Sequence, residues 1–269
     1  MTDALKLMCL FAHPDDESLG TGGLLAKYGA EGVETFVVTA TRGQYGWHGR
    51  PDPDPGPEAF GRYREAELRA AAAVLGVREV SVLDYVDGDL DQANPAAVMG
   101  LLAAHLRRLR PQVVVTFGPD GSYGHPDHIA ICQFATGATL LAADPQAAVP
   151  GDLLPHRVSK LYYMLDTFEL LALYSTIFPD LVIKVDGIDR RGQGWAEWMI
   201  TASIDADAHW RTAGRAIACH ASQLVGFENF AAQLKQHHSL LVGRQTFYRA
   251  FSLVNAGRQR ETDLFEGLR

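Results

Sequence analysis

The sequence predicts an α/β fold: a mainly parallel sheet with helices on both faces. Three observations carry that prediction. Short apolar runs alternate with helical stretches of ten or more residues through position 165, the pattern of βαβ units. Several of those runs are continuously apolar, as strands covered on both faces must be. The chain has 269 residues, 47% of them hydrophobic, enough for one large core.

The elements follow in order. "LKLMCLFA" (5–12) reads as a buried strand, and "SLGTGGLLAKYGAEG" (18–32) as a helix ended by glycine. "VETFVVTAT" (33–41) is a β-branched strand, "EAFGRYREAELRAAAAVLGV" (58–77) a long Ala-rich helix, and "REVSVLD" (78–84) a short strand. "NPAAVMGLLAAHLRRLR" (94–110) opens with Asn94 as N-cap and Pro95 in the first turn. "PQVVVTFG" (111–118) is a strand, 125–143 a helix and "VSKLYYML" (158–165) a strand. Right-handed crossovers and the order 3-2-1-4-5 would make this a Rossmann-like, three-layer core. Strands one and four would then be neighbours at the topological switch point, where such sheets bind ligands.

After 165 the pattern weakens. Residues 181–188 and 245–254 read as strands and 205–224 as a helix. No composition break separates two domains, so the expectation is one domain, 1–269. Its core is 1–165, and an α/β extension, 166–269, completes the substrate site. Residues 41–58 hold four Pro and four Gly, too many for regular structure, and read as a long rim loop.

Composition excludes several function classes. The formal charge is −8 and no Lys/Arg run exceeds two residues, which argues against nucleic acid as the partner. No apolar stretch approaches the roughly 20 residues that cross a bilayer. "MTDALK" lacks the basic flank of a signal peptide, so a cytoplasmic location is expected. Cys9, Cys132 and Cys219 are sparse, odd in number and without CxxC spacing. Buried structural thiols fit them better than a disulfide framework. "GTGG" (20–23) imitates a nucleotide loop, but GxGxxG requires glycine where Leu25 stands. Trp195 and Trp198 read as core or interface residues. No GxSxG elbow is present.

Two charged clusters remain. "AHPDDE" (12–17) follows the first strand and "GSYGHPDHIA" (121–130) the fourth. Each contains His-Pro-Asp with another ligand type three residues after the His. On a first helical turn, i and i+3 share a face. His13 and Asp16 can therefore point to one spot, and so can His125 and His128. Two imidazoles and a carboxylate at a pocket mouth make a three-ligand site with room for water, the catalytic zinc pattern. Ferrous iron suits the same donors. Helix caps are the structural alternative for either cluster alone.

This paired motif resembles that of the LmbE/PIG-L family of zinc-dependent N-acetylglucosaminyl deacetylases, over about the first 130 residues. The resemblance implies a metal-dependent hydrolase acting on a small N-acetyl amino sugar, a GlcNAc glycoside or conjugate, with a homo-oligomer possible. It implies His13, Asp16 and His128 as ligands of Zn2+, or of Fe2+ or another divalent metal. It makes Asp15 the general base, His125 the acid and oxyanion partner, and Asp127 the residue that orients His125. Tyr123 matches a tyrosine that contacts the oxyanion or gates the site. Arg64, with Glu67 in an Arg-x-x-Glu helix, and Asp87 match groups that hold sugar hydroxyls. For Arg64 the alternative is a surface ion pair, and for Asp87 a turn residue before Gly88. "CHASQ" (219–223) resembles a late His-x-Ser-Gln signature, in which His220 and Gln223 would buttress the site. Gln44 departs from the pattern, standing where the family often has an acid. Rival activities on these residues are a thiol-conjugate amidase, a ferrous oxygenase and a non-catalytic metal- or sugar-binding protein.

Overall fold

The computed structural model describes residues 4–47, 52–177, 183–185, 187–227, 229–257 and 259–269. In chain order the core elements are β1 (Lys6–Phe11), α1 (Asp16–Ala30), β2 (Glu34–Thr41), α2 (Pro57–Leu75), β3 (Glu79–Tyr85), α3 (Pro95–Leu109), β4 (Val113–Phe117), the short turn α4 (Gly121–Gly124), α5 (Pro126–Ala143) and β5 (Lys160–Leu165). Then come α6 (Phe168–Ile177), a small hairpin of β6 (Ile183–Val185) and β7 (Ile188–Arg190), β8 (Ala202–Asp205), α7 (Trp210–Cys219), α8 (Phe230–His238) and β9 (Arg244–Ser252).

One seven-stranded sheet runs β3-β2-β1-β4-β5-β9-β8. The first five strands are parallel, in the expected order 3-2-1-4-5, and the last two are antiparallel. Cys9 of β1 registers with Val37 of β2 on one side and Val115 of β4 on the other. The loops that leave β1 and β4 therefore open side by side. Helices α3 and α5 pack together as one layer, and α1, α2 and α7 as the other. Side chains of β1 and β4 are buried almost from end to end. Asn94 caps α3 as expected, its Oδ1 accepting the Ala97 N–H at 3.1 Å.

The second half departs further from expectation. The predicted helix 205–224 shortens to α7, flanked by 3₁₀ turns at Asp207–His209 and Ala221–Gln223. Of the predicted strand 181–188, positions 181, 182 and 186 lie outside the described residues, and the remainder belongs to the β6–β7 hairpin. The strand β8 and helices α6 and α8 carry no periodic signal strong enough to show in sequence. β8 is only four residues long and is specified by its partner β9. Every residue of α6 is at least partly exposed despite its apolar sequence. Among the described residues no helix is long and apolar enough to cross a membrane. All three cysteines are free. Cys9 and Cys132 are buried, with burial pushing both thiols up to about 12, while Cys219 is half-buried.

The glycines of "GTGG" have a packing purpose. They sit inside α1, where β9 and the turn before it come close. Gln245 of β9 inserts its amide into this helix. It accepts the Leu24 N–H at 2.5 Å and donates to the Gly20 carbonyl at 2.7 Å. A Cβ on Gly23 would collide with the Val242 carbonyl, whereas one on Gly22 would meet Ala213 at an ordinary 3.4 Å. Gly23→Ala should therefore lose about 1–3 kcal/mol through overpacking, despite alanine's better helix propensity. Gly22→Ala should be neutral or gain roughly a few tenths of a kcal/mol. Denaturant midpoints of the two variants check this contrast.

Candidate metal centre and active site

Three loops converge at the carboxyl ends of β1, β3 and β4. His13 lies just after β1, and Asp16 opens α1. His128 lies in the first turn of α5, and all three are buried. His13 Nδ1 and His128 Nε2 are 3.1 Å apart. Asp16 closes the triangle, with Oδ2 at 3.8 Å from His13 Nδ1 and Oδ1 at 3.6 Å from His128 Nε2. Donors about 2.0–2.1 Å from a tetrahedral zinc stand roughly 3.3 Å apart, so the 3.1 Å between the imidazole nitrogens and the 3.6 Å from His128 Nε2 to Asp16 Oδ1 fit such an ion.

The hydrogen bonds behind the triangle decide how its atoms are used. His13 Nε2 meets Asp87 Oδ1 at 3.0 Å and Asp127 Oδ2 at 3.1 Å, so that nitrogen carries a proton. His128 Nδ1 faces the Gly121 carbonyl at 3.2 Å and must donate to it. If both imidazoles were neutral, two lone pairs would face each other across 3.1 Å in a buried site. Such a pair demands a cation between them. A proton serves, and a divalent metal ion serves better, since the Asp16 carboxylate then gains a counter-charge. Asp16 Oδ2 also accepts the N–H groups of Ala12 (3.1 Å) and His13 (2.8 Å), which leave Oδ1 for the ion.

Among the described residues, two other groupings of side chains are close enough to hold an ion: His13 with His125 and His128, and His13 with Asp87 and Asp127. Neither matches the hydrogen bonding. His125 Nδ1 accepts the Asp127 N–H at 3.1 Å, capping α5, so a neutral ring carries its proton on Nε2 and offers no lone pair there. Asp127 is fully buried, and its carboxylate accepts the N–H groups of Gly88 (2.8 Å) and Leu90 (3.0 Å). Asp87 Oδ2 accepts the Tyr45 N–H at 2.9 Å. These two carboxylates orient His13, the supporting role that metal-bound imidazoles ordinarily receive.

The charges are strongly perturbed. Burial alone would push His13 down, but Asp127, Asp87 and Asp16 outweigh it and raise the imidazole to about 10. Burial raises Asp16 to about 7, against the attraction of His13. Burial and the neighbouring histidines hold His128 well below its ordinary value. Burial also raises Asp15, and Arg64 and His220 oppose that rise. Asp87 sits well below the carboxylate range: burial opposes the shift, but the His13 hydrogen bond overcomes it.

Asp15 stands at the N-terminus of α1 with φ 113°. That left-handed backbone costs a non-glycine residue about 1–3 kcal/mol and persists only when its surroundings enforce it. Its carboxylate does not cap the helix. It pairs instead with Arg64 Nη2 at 3.2 Å, beside His13 and Asp16. Tyr123 lies edge-on to His125 and His128, with ring centroids at 5.9 and 5.1 Å. Its loop is held from the C-terminal segment. Ser122 Oγ donates to Asp166 (2.5 Å), Trp195 Nε1 to Asp120 (3.0 Å) and Arg190 to the Gly124 carbonyl (2.5 Å). Trp195 is thus a packed wall residue, as expected, whereas Trp198 is 80% exposed.

Several expected roles change. The Asp127 carboxylate is spent on His13 and on the backbone at 88–90, so it is the residue's N–H that orients His125. His125 is accordingly a neutral Nε2–H donor rather than an imidazolium held by a carboxylate. Arg64 is no surface ion pair with Glu67. It is 4% exposed and donates to the carbonyls of Pro14 (2.5 Å) and Gly43 (2.9 Å) as well as to Asp15. Asp87 and Arg64 are therefore directed at His13 and Asp15 before any sugar hydroxyl. Gln44 turns inward too. Its Oε1 accepts the Arg42 N–H (3.2 Å) and its Nε2 donates to the Tyr85 carbonyl (3.3 Å), a bond no glutamate could make. Sequence reasoning missed Glu17 as a site residue. Its place beside Asp15 and Asp16 in "AHPDDE" was its signal in the sequence.

A family model described as PIG-L, GlcNAc-PI de-N-acetylase, matches residues 8–139. The chain is 32% identical to a 1D-myo-inositol 2-acetamido-2-deoxy-alpha-D-glucopyranoside deacetylase of Thermobispora bispora, over 98% of both proteins. It is 35% identical to the Streptomyces avermitilis protein of the same name, over 98% of this chain and 97% of that one. The chain belongs to the PIG-L family. Among solved structures it is similar to a conserved protein from Thermus thermophilus, with a TM-score of 0.66 and 26% identity over 94% of this chain and 97% of that one. It shares its fold with an N,N'-diacetylchitobiose deacetylase from Pyrococcus horikoshii, with a TM-score of 0.67 and 20% identity over 92% and 84% of the two chains.

Metal affinity in this PIG-L chain should rise with pH. His13 keeps its proton through neutral pH and must lose it to bind a metal ion. Asp16 adds a second proton below its value of about 7. Competition titrations with a chromophoric chelator should show zinc affinity rising about tenfold per pH unit between pH ~7.5 and ~8.5, and more steeply below about 7. An affinity flat across that range would exclude His13 Nδ1 as a ligand.

Proposed function

We propose that this protein is a metal-dependent amide hydrolase that removes the N-acetyl group from a GlcNAc-containing glycoside, with zinc as its metal. The observation that carries the reading is the pair of facing imidazole nitrogens closed by Asp16, with Asp15 held beside them and an N–H donor, His125, next to the same cluster. The names of the Thermobispora and Streptomyces relatives make the inositol glycoside of GlcNAc the first substrate to test.

His13, Asp16 and His128 hold the metal. A zinc ion there supplies Lewis acidity toward the acetyl carbonyl and makes water a usable nucleophile near neutral pH. Asp15 takes the proton of the attacking water, and its raised affinity for protons suits that work. Water adds to the acetyl carbon, and the C–N bond then breaks to give acetate and the sugar's free amine. His125 donates a hydrogen bond from Nε2 to the developing oxyanion, and Asp15 passes the proton it took from the water to the leaving nitrogen. Tyr123, whose hydroxyl burial and the nearby carboxylates keep protonated, is a second donor to the oxyanion. Arg64 fixes Asp15, and Asp87 fixes His13. A purely binding role leaves Asp15's enforced backbone without a use.

The test is amine release by zinc-loaded protein from GlcNAc-inositol, GlcNAc-malate and free GlcNAc. No turnover of any with metal bound would favour the binding reading. Asp15→Asn should keep stoichiometric zinc and lose about 10²–10⁴-fold in kcat. His125→Ala should lose about 10²–10³-fold, also with zinc retained. His13→Ala should lose metal and activity together. Stoichiometric zinc in purified His13→Ala would overturn the ligand assignment.

A further inference from the structure

Glu17 and His220 have no part in the chemistry above, yet they are 0% and 2% exposed and lie against Asp15. Glu17 Oε2 accepts the Asp15 N–H at 3.0 Å. Its other oxygen, Oε1, accepts Ser18 Oγ at 2.5 Å and His220 Nε2 at 2.8 Å. His220 Nδ1 has no hydrogen-bond partner among the described residues. The ring's hydrogen bonding is therefore directed at Glu17 alone, 203 residues away in sequence.

We infer that His220, acting through Glu17, is a positioning residue that holds Asp15 in its left-handed backbone conformation. The inference rests on the hydrolase reading for its consequence but on hydrogen bonds for its content. Asp15 needs such a hold, because its φ of 113° is unfavourable for any residue but glycine and its side chain does not cap α1. Glu17 can hold the Asp15 N–H only if its own carboxylate is fixed, and His220 fixes it.

The neighbours of His220 grip the opposite side of Asp15. Ser222 donates through its N–H (2.8 Å) and Oγ (2.5 Å) to Glu67, on the same helix as Arg64 and less than one turn along. Arg64 in turn holds the Pro14 carbonyl and the Asp15 carboxylate. Gln223 Nε2 reaches the Gly46 carbonyl of the rim loop at 3.4 Å. One turn, residues 220–223, thus braces the start of α1, the interior of α2 and the rim. A pair that served only general stability could sit anywhere in the core. This pair ends on the amide of the residue that stands strained beside the metal ligands.

Two measurements on full-length, zinc-loaded protein test the inference. The first is hydrogen exchange at the Asp15 amide. The second is kcat and KM on the glycoside that the wild type hydrolyses best. His220→Ala should exchange the Asp15 amide about tenfold faster or more. It should lose about 10–100-fold in kcat, with KM and zinc content unchanged. His220→Gln, which restores an N–H donor toward Glu17, should recover most of both. If His220→Ala does not fold, Glu17→Gln decides. It keeps the volume but offers a single oxygen where the carboxylate had two, and it should move both readouts the same way by a smaller factor. Unchanged exchange at Asp15 in a folded variant would overturn the inference, as would a rise in KM at constant kcat. A wild type that hydrolyses no glycoside would refute the hydrolase reading, and the exchange measurement would still decide the positioning role.

Discussion

Two imidazole nitrogens that face each other across 3.1 Å are the constraint on which the site depends. Each ring has its other nitrogen committed elsewhere: His13 to Asp87 and Asp127, His128 to the Gly121 carbonyl. Neither ring can turn away without abandoning a buried hydrogen bond, which costs roughly 1–3 kcal/mol. The juxtaposition is therefore stable only with positive charge between the rings. The loops after β1, β3 and β4 all contribute to this, because Asp127 is held by backbone N–H groups at 88 and 90. The parallel sheet supplies what makes it possible. It brings β1 and β4 together as neighbours and releases their loops at the same edge.

The parallel core and the two charged clusters that meet at its switch point were legible in sequence because each rests on local information. A continuously apolar run between two helical stretches has few readings other than a buried strand. His13 with Asp16, and His125 with His128, are spaced by one helical turn and can be paired by counting. What was not legible is long-range. The destination of the Asp127 carboxylate is set by the loop after β3. Glu17 acquires its meaning from His220. Arg64 is drawn to carbonyls at 14 and 43 that fold over it. Beyond residue 165 the elements are short and specified by their partners, as β8 is by β9, so local pattern carries little of them.

The C-terminal segment does more than extend the sheet. Gln245 reaches into α1 and bonds Gly20 and Leu24, on the helix that carries Asp16. Along that same helix, His220 meets Glu17 and Ala213 packs on Gly22. α1 is thus fastened at successive turns by residues far along the chain. A site residue such as Asp16, in the first turn of a freestanding helix, would fray with it. Here the first turn is among the most enclosed parts of the chain, with Asp16, Glu17 and Ser18 all buried.

The wall formed by Arg190 and Trp195 touches the Tyr123 loop through a carbonyl and an aspartate, not through His13, Asp16 or His128. That wall and the His13–Asp16–His128 cluster are consequently separate stretches of polypeptide, joined by a few hydrogen bonds. A change confined to residues 188–195 removes none of the hydrogen bonds that fix His13, Asp16 and His128.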